Sequence, residues 1–159
     1  MRSLGAAARS EARVYFAGGA TAVLHGWRDA TIDVDIKLVP EHDDLLRALP
    51  HLKEELRLNI ELASPVDFIP VRPGWEARSP FIAREGVLSF HHFDLCAQLL
   101  AKIERRHTQD VNDVREMLQR GLVDPGEARR YFAAIESMLY RYPAIDPGSF
   151  RRAVDEILG

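Results

Sequence analysis

One cysteine, Cys96, is the only thiol among the 159 residues, which excludes an internal disulfide framework and suits a reducing compartment. No apolar run approaches the about 18 residues of a membrane span, so no transmembrane helix and no membrane partner are expected. The opening MRSLGAAARSEAR has too short an apolar stretch for a secretory signal, and the cytoplasm is the expected location. A dominant charge is missing as well. Twenty-one Lys and Arg stand against 24 Asp and Glu, for a net charge of −3. That weighs against the broad basic footprint of a nonspecific nucleic-acid binder, although a local basic patch facing one RNA end stays open. Neither G-x-G-x-x-G nor G-x-x-x-x-G-K-[ST] occurs, which sets aside the Rossmann and Walker-type phosphate loops. No Cys/His set has zinc spacing, and nothing around Ser89 or Cys96 supports a nucleophilic triad.

No repeat, low-complexity tract or Gly/Ser/Pro-rich linker divides the chain. Its length fits one domain, and 47% hydrophobic residues suffice for a core without a metal or disulfide staple. Val14–Ala17 is a short apolar run of strand formers halted by Gly18-Gly19, and ATAVLHGW then reads as a short helix closing near Gly26. Thr31 to Leu38 alternates strictly between polar and apolar residues and is the clearest strand. Leu45, Leu49, Leu52 and Leu56 give residues 41–57 helical spacing, broken or kinked at Pro50. Residues 58–62 alternate again, and Asp67-Phe68-Ile69-Pro70 extends the sheet or begins a loop. PFIAR and VLSFHHF read as a hairpin turning at Glu85-Gly86. Helices follow at about 94–106, 109–121, 125–140 and 147–158. The expectation is an α+β fold: a small mixed sheet flanked by helices over residues 1–92, then a helical segment over 93–159.

Chemistry concentrates in the first half. Residues i and i+2 of a strand share a face, so Asp33 and Asp35 are neighbours roughly 6.5–7 Å apart at Cα. Two carboxylates at that spacing suit Mg²⁺, which prefers oxygen ligands, although the same pattern describes the solvated face of a half-buried strand. Aspartate is a poor strand former, and two in one short strand ask for a reason. Gly18-Gly19, between a strand and a helix, lets backbone approach a ligand, and a simple tight turn is the plain alternative.

Strand, Gly-Gly, helix, thirteen intervening residues and then apolar-Asp-apolar-Asp-apolar resembles the signature of the DNA polymerase beta-type nucleotidyltransferase superfamily. The match is AGGATAVLHGWRDATIDVDIKL, and its G-x-R-x-x-T-x-D-x-D ending is similar to abortive-infection and toxin–antitoxin members. The resemblance implies a minimal nucleotidyltransferase fold and transfer of a nucleotide monophosphate from an NTP to a hydroxyl on RNA, protein or a small molecule. It further implies Mg²⁺ or Mn²⁺ on Asp33 and Asp35, phosphates on the Gly18-Gly19 turn, and a third carboxylate from a later strand. Glu61 and Asp67 both have the apolar–acid–apolar setting for that third position; Glu61 has the cleaner alternation. Many members carry serine where Gly19 stands, so phosphate contacts fall to backbone N–H groups, Thr21 or Arg28. A cognate protein partner in a toxin–antitoxin or defence pair is implied too, and a catalytically weak binding module is the alternative. IELASPVDFIPV, PGWEARSPFI and LYRYPAID extend the likeness, over nearly the whole chain, to small bacterial proteins known only as nucleotidyltransferase-like.

In the helix from Asp94, Leu95, Leu99 and Ile103 form the inward stripe, with Lys102 between Leu95 and Leu99 on the wheel. Such a lysine either snorkels to the edge or faces a polar cleft. AKIERRHTQDVNDVREML is similar to a helical segment of abortive-infection-type members, and on that resemblance Lys102 contacts nucleotide phosphates while Asp110 and Asp113 support the site. His91-His92 is a poor metal pair, since adjacent strand residues face opposite ways. Trp75, in a Pro-Gly-Trp loop, reads as a stacking residue or as a lid over the core. Tyr140, Tyr142, Pro143, Ile145 and Phe150 read as packing for the last helix.

Overall fold

The computed structural model describes residues 1–159. Seven α-helices and a five-stranded mixed sheet give the expected α+β fold. No helix is long and apolar enough to cross a membrane. The chain divides into two units, Met1–Ser64 with Ser79–Phe93, and Pro65–Arg78 with Asp94–Gly159. The stretch 65–78 therefore belongs to the helical unit rather than to the sheet.

In the first unit the elements run α1 (Arg2–Ala7), β1 (Ala12–Ala17), α2 (Gly19–His25), β2 (Asp33–Val39), α3 (Asp43–Leu56), β3 (Asn59–Glu61), β4 (Phe81–Glu85) and β5 (Leu88–His92). The sheet order is β3-β2-β1-β5-β4. β1 is central, antiparallel to β2 and parallel to β5; β3 joins parallel to β2, and β4 closes the other edge antiparallel to β5. From Asp33 on, alternation does what the pattern demands, while Ile32 ahead of the strand is exposed. Ile36 and Leu38 of β2 are buried beside Val14 of β1 and Phe90 of β5, while Asp33 faces water. Leu45, Leu49 and Leu52 bring α3 onto that core.

One expectation needs correcting here. α3 runs through Pro50 without a break. Proline removes its own donor to Leu46 and crowds that carbonyl, a cost of about 3 kcal/mol or more that the buried leucine stripe offsets. The N-terminal residues, to which the pattern assigned no element, form α1, whose Leu4 enters the core.

The second unit holds a 3-10 turn (Pro65–Asp67), α4 (Leu95–Arg105), α5 (Thr108–Gln119), α6 (Pro125–Ile135), a 3-10 segment (Glu136–Arg141) and α7 (Pro147–Leu158). Aspartates start three of the helices. Asp94 accepts from the N–H groups of Cys96 and Ala97, Asp124 from Glu127, and Asp146 from Gly148 and Ser149, each a cap of about 1 kcal/mol. Arg78 clasps the loop ahead of α4. Its Nε donates to Asp94 at 2.8 Å, its two Nη groups donate to the carbonyls of Pro73 and Arg72, and the guanidinium lies 5.5 Å from the Tyr131 ring centre. The Tyr131 hydroxyl accepts from the Arg72 N–H, and burial, with the charge of Asp94, pushes its pKa up to about 12. Leu99, Ile103, Met117, Ile135 and Phe150 are buried. Ile145 and Phe150 pack as expected, but Tyr140 does not: its side chain is 73% exposed, because the 3-10 segment turns it outward.

Candidate functional site

The parallel register of β2 and β3 sets Asp33 beside Asn59 and Asp35 beside Glu61. Registered neighbours on a sheet project from the same face, so all four polar side chains rise together while Val34 and Ile60 turn toward the core. Asn59 joins the outer pair. Its Nδ2 donates to Asp33 Oδ1 at 3.0 Å and to Glu61 Oε1 at 3.1 Å. A side-chain amide has two such donors, so one residue restrains two carboxylates that would otherwise repel. Asn59 escaped the sequence reading, although its place two residues before Glu61 on an alternating strand signals the shared face.

The glycine turn borders this row. Gly18 stands before α2 with φ 63°, a left-handed value that L side chains rarely take. A Cβ there would also lie 2.9 Å from Asp35 Oδ2. At Gly19 a Cβ would meet Thr31 Oγ1 at 2.5 Å and Arg28 Nη1 at 3.0 Å. Both glycines thus admit neighbouring side chains: a carboxylate over the first, a hydroxyl and a guanidinium over the second. Thr31 is itself fixed, its hydroxyl donating to the Asp33 carbonyl at 3.1 Å and accepting from the Asp33 N–H at 3.2 Å. Gly18, Gly19, Arg28, Asp33, Asp35 and Glu61 are therefore gathered at one end of β1, β2 and β3.

Thr21 is placed otherwise. It is 1% exposed, with its hydroxyl 3.1 Å from His92 Nδ1 and 3.4 Å from the Phe16 carbonyl. Its role is to tie α2 to the sheet, which leaves the phosphate contact expected of it without support. The His92 ring stacks on that of His25 with centres 4.4 Å apart. Burial, and secondarily His25, lowers the His92 pKa from 6.5 to about 4. The sign follows directly. Between those two values the unfolded chain takes up a proton that the folded chain refuses, so stability falls as pH drops from about 6.5 toward 4. Unfolding free energies from urea titrations across that range should fall by on the order of 2 kcal/mol, and His92→Phe should flatten the dependence. His91 faces the other way, toward the Ser79 carbonyl and the Ser89 hydroxyl, so the two adjacent histidines form no metal pair.

Two expected site residues lie in the second unit. Asp67 closes the 3-10 turn Pro65–Asp67 and so extends no strand, because Pro65 and the turn break the alternation. Lys102 is 6% exposed and donates from Nζ to Asp113 at 2.7 Å and Asp110 at 3.5 Å. Arg105 holds Asp110 through Nε and Nη2 at 2.8 and 2.7 Å. Burial pushes Asp110 up, but the hydrogen bonds from Arg105 and the charge of Lys102 outweigh it and leave the pKa below its ordinary value. Lys102 neither snorkels nor opens onto solvent. Two cations face two anions in a compensated cluster.

The donor set of Asp33, Asp35 and Glu61 is all oxygen, the chemistry a hard divalent cation takes. No group of three or more His, Cys, Asp or Glu side chains converges on one point. Mg²⁺ does not require such convergence, being held elsewhere by one or two carboxylates together with water and phosphate oxygens. The residues fit that mode. Compared with protein-family models, curated proteins and solved structures, the chain has no significant match.

Proposed function

We propose that the chain is a metal-dependent nucleotidyltransferase that moves a nucleotide monophosphate from an NTP to a hydroxyl acceptor on RNA, protein or a small molecule. The observation that carries the reading is the register pairing of Asp35 with Glu61, two residue pairs beyond Asp33 with Asn59 and against the Gly18 turn. Asp33, Asp35 and Glu61 would hold Mg²⁺ or Mn²⁺, which supplies charge neutralisation at the phosphates when bound. Glu61 is favoured over Asp67 as the third carboxylate because it shares a sheet face with the other two. The Gly18-Gly19 turn and Arg28 orient the phosphate tail, and Glu61 accepts the proton of the attacking hydroxyl. The new ester bond forms at the α-phosphorus as the bond to the β-phosphate oxygen breaks, and pyrophosphate leaves. Orientation and electrostatics carry most of the acceleration.

A second reading, a nucleotide- or partner-binding module with weak catalysis, draws on Thr21: with serine absent at position 19 and Thr21 buried, neither offers a hydroxyl to phosphate. A defence or toxin–antitoxin setting belongs to either reading. Calorimetric titration of ATP, GTP, CTP and UTP, each with and without Mg²⁺, tests both. Mg²⁺-dependent binding that disappears in the Asp33→Asn/Asp35→Asn double variant supports the enzyme. Absence of binding by all four sinks it and leaves the partner-binding module.

A further inference from the structure

β3 ends the sheet on one side, with β2 as its only strand neighbour. The Asn59 N–H donates to the Ile32 carbonyl at 2.6 Å. Main-chain groups of successive strand residues point to alternate sides. Asn59 and Glu61 therefore turn theirs to β2, and Ile60 turns its N–H and C=O outward. Such an edge is a template for another strand. The segment on offer is Leu58-Asn59-Ile60-Glu61-Leu62, whose apolar and polar positions read alike in both directions about Ile60.

That symmetry selects the occupant. Antiparallel pairing with a second copy, on a two-fold axis at Ile60, lets the two Ile60 residues exchange both outward groups as hydrogen bonds. The same register sets Leu58 opposite the second copy's Leu62, and Asn59 opposite the second copy's Glu61. Aliphatic pairs then fall on the face toward α3, and amide–carboxylate pairs fall on the acidic face. Sliding the register by two residues toward Leu62 would instead set Glu61 against Glu61, like charge against like. Leu62 is 46% exposed beside a groove of about 320 Å³ walled by Leu46, Leu49 and Pro50. A single copy leaves that apolar surface to water, and the second copy's strand covers it.

We propose that two copies of this chain pair antiparallel through β3, joining their sheets edge to edge with both acidic faces on one side. The inference does not depend on the nucleotidyltransferase reading. Pairing brings the second copy's Asn59 to the carboxylate row. So short a strand buries little area, so the pair is transient, with a Kd on the order of 10–100 μM. Dilute protein leaves β3 an open edge.

Sedimentation velocity of the full chain from about 1 μM to 1 mM should show monomer giving way to dimer and nothing larger, because a two-fold contact closes on itself. Leu62→Lys charges the edge at an exposed position and should weaken pairing by at least about 10-fold. Phe81→Lys, equally exposed but on the opposite edge strand β4, should leave pairing unchanged. Amide exchange at Ile60 should slow as wild-type concentration rises. A monomer at every concentration leaves the edge to a strand of other sequence and overturns the proposal. Oligomers beyond two overturn it as well, as does pairing lost in Phe81→Lys but kept in Leu62→Lys. Should Leu62→Lys fail to fold, wild-type exchange decides: Ile60 protection that ignores concentration overturns the assignment.

Discussion

Replacing Asp35 with Asn should cut Mg²⁺-dependent nucleotide affinity by at least about 100-fold while melting within a few degrees of wild type. The change removes one negative charge and almost no volume. Asp35 belongs to β2, paired on one side with Ala17 of β1 and on the other with Glu61 of β3. An amide oxygen is a far weaker ligand for a hard cation than a carboxylate, and no other residue occupies that point of the face. The strand loses no ladder bond, since its backbone is unaltered. Circular dichroism and thermal melts report the fold, and calorimetry reports the site. Unchanged affinity would refute the placement of metal and nucleotide at this face. A collapse in melting temperature would instead make the carboxylate's contact with the Gly18 turn a structural one.

Lys102→Met should cost about 3 kcal/mol or more, read from urea unfolding of the full chain. Removing one partner of a buried pair leaves the other uncompensated, whereas removing both costs far less. Asp113, 1% exposed, would keep a charge whose nearest cation had gone, while Asp110 would still be held by Arg105. Adding Asp113→Leu to Lys102→Met should therefore restore a large part of the loss, and a double-mutant cycle measures how much. A cost below about 1 kcal/mol would mean that the carboxylates reach solvent without the lysine. The same arrangement bears on the phosphate contact expected of Lys102. Its ammonium already faces two acids, so any anion must compete with both.

Periodicity carried the fold where the periods were clean. Thr31 to Leu38 and residues 58–62 alternate, and both positions form strands; the hairpin at Glu85-Gly86 and the four late helices were legible from turn residues and caps. What failed did so for reasons beyond local pattern. Pro50 reads as a breaker, yet tertiary burial of Leu45, Leu49 and Leu52 outweighs one missing donor. Tyr140 carries an aromatic signal, yet it stays exposed and its ring meets the neighbouring Arg141 guanidinium instead of the core. The stretch 65–78 owes its form to Arg78, which reaches Asp94 sixteen residues on and the Tyr131 ring, and no period encodes such a contact. In the site, the spacing of Asp33 and Asp35 was enough to place both on one face. The reason for the two glycines was not legible. They read as room for a ligand, and the room is used by Asp35, Thr31 and Arg28. Thr21 looked like a donor near the turn because sequence cannot tell which face of a seven-residue helix meets the sheet.

β3 is only three residues long and lies at the sheet's edge, joined to its neighbours through β2 alone. β2 is sandwiched between two strands. Protection against amide exchange should therefore drop sharply from one to the other, since opening an edge breaks few bonds and opening an interior strand breaks many. Glu61 sits on the edge strand, whose opening breaks few bonds, and Asp33 and Asp35 sit on the interior one. The acidic face is in effect a fixed jaw and a hinged one, with the Asn59 amide as the latch between them. On the proposed reading, lifting those three residues would admit a bulky acceptor without disturbing Asp33 and Asp35.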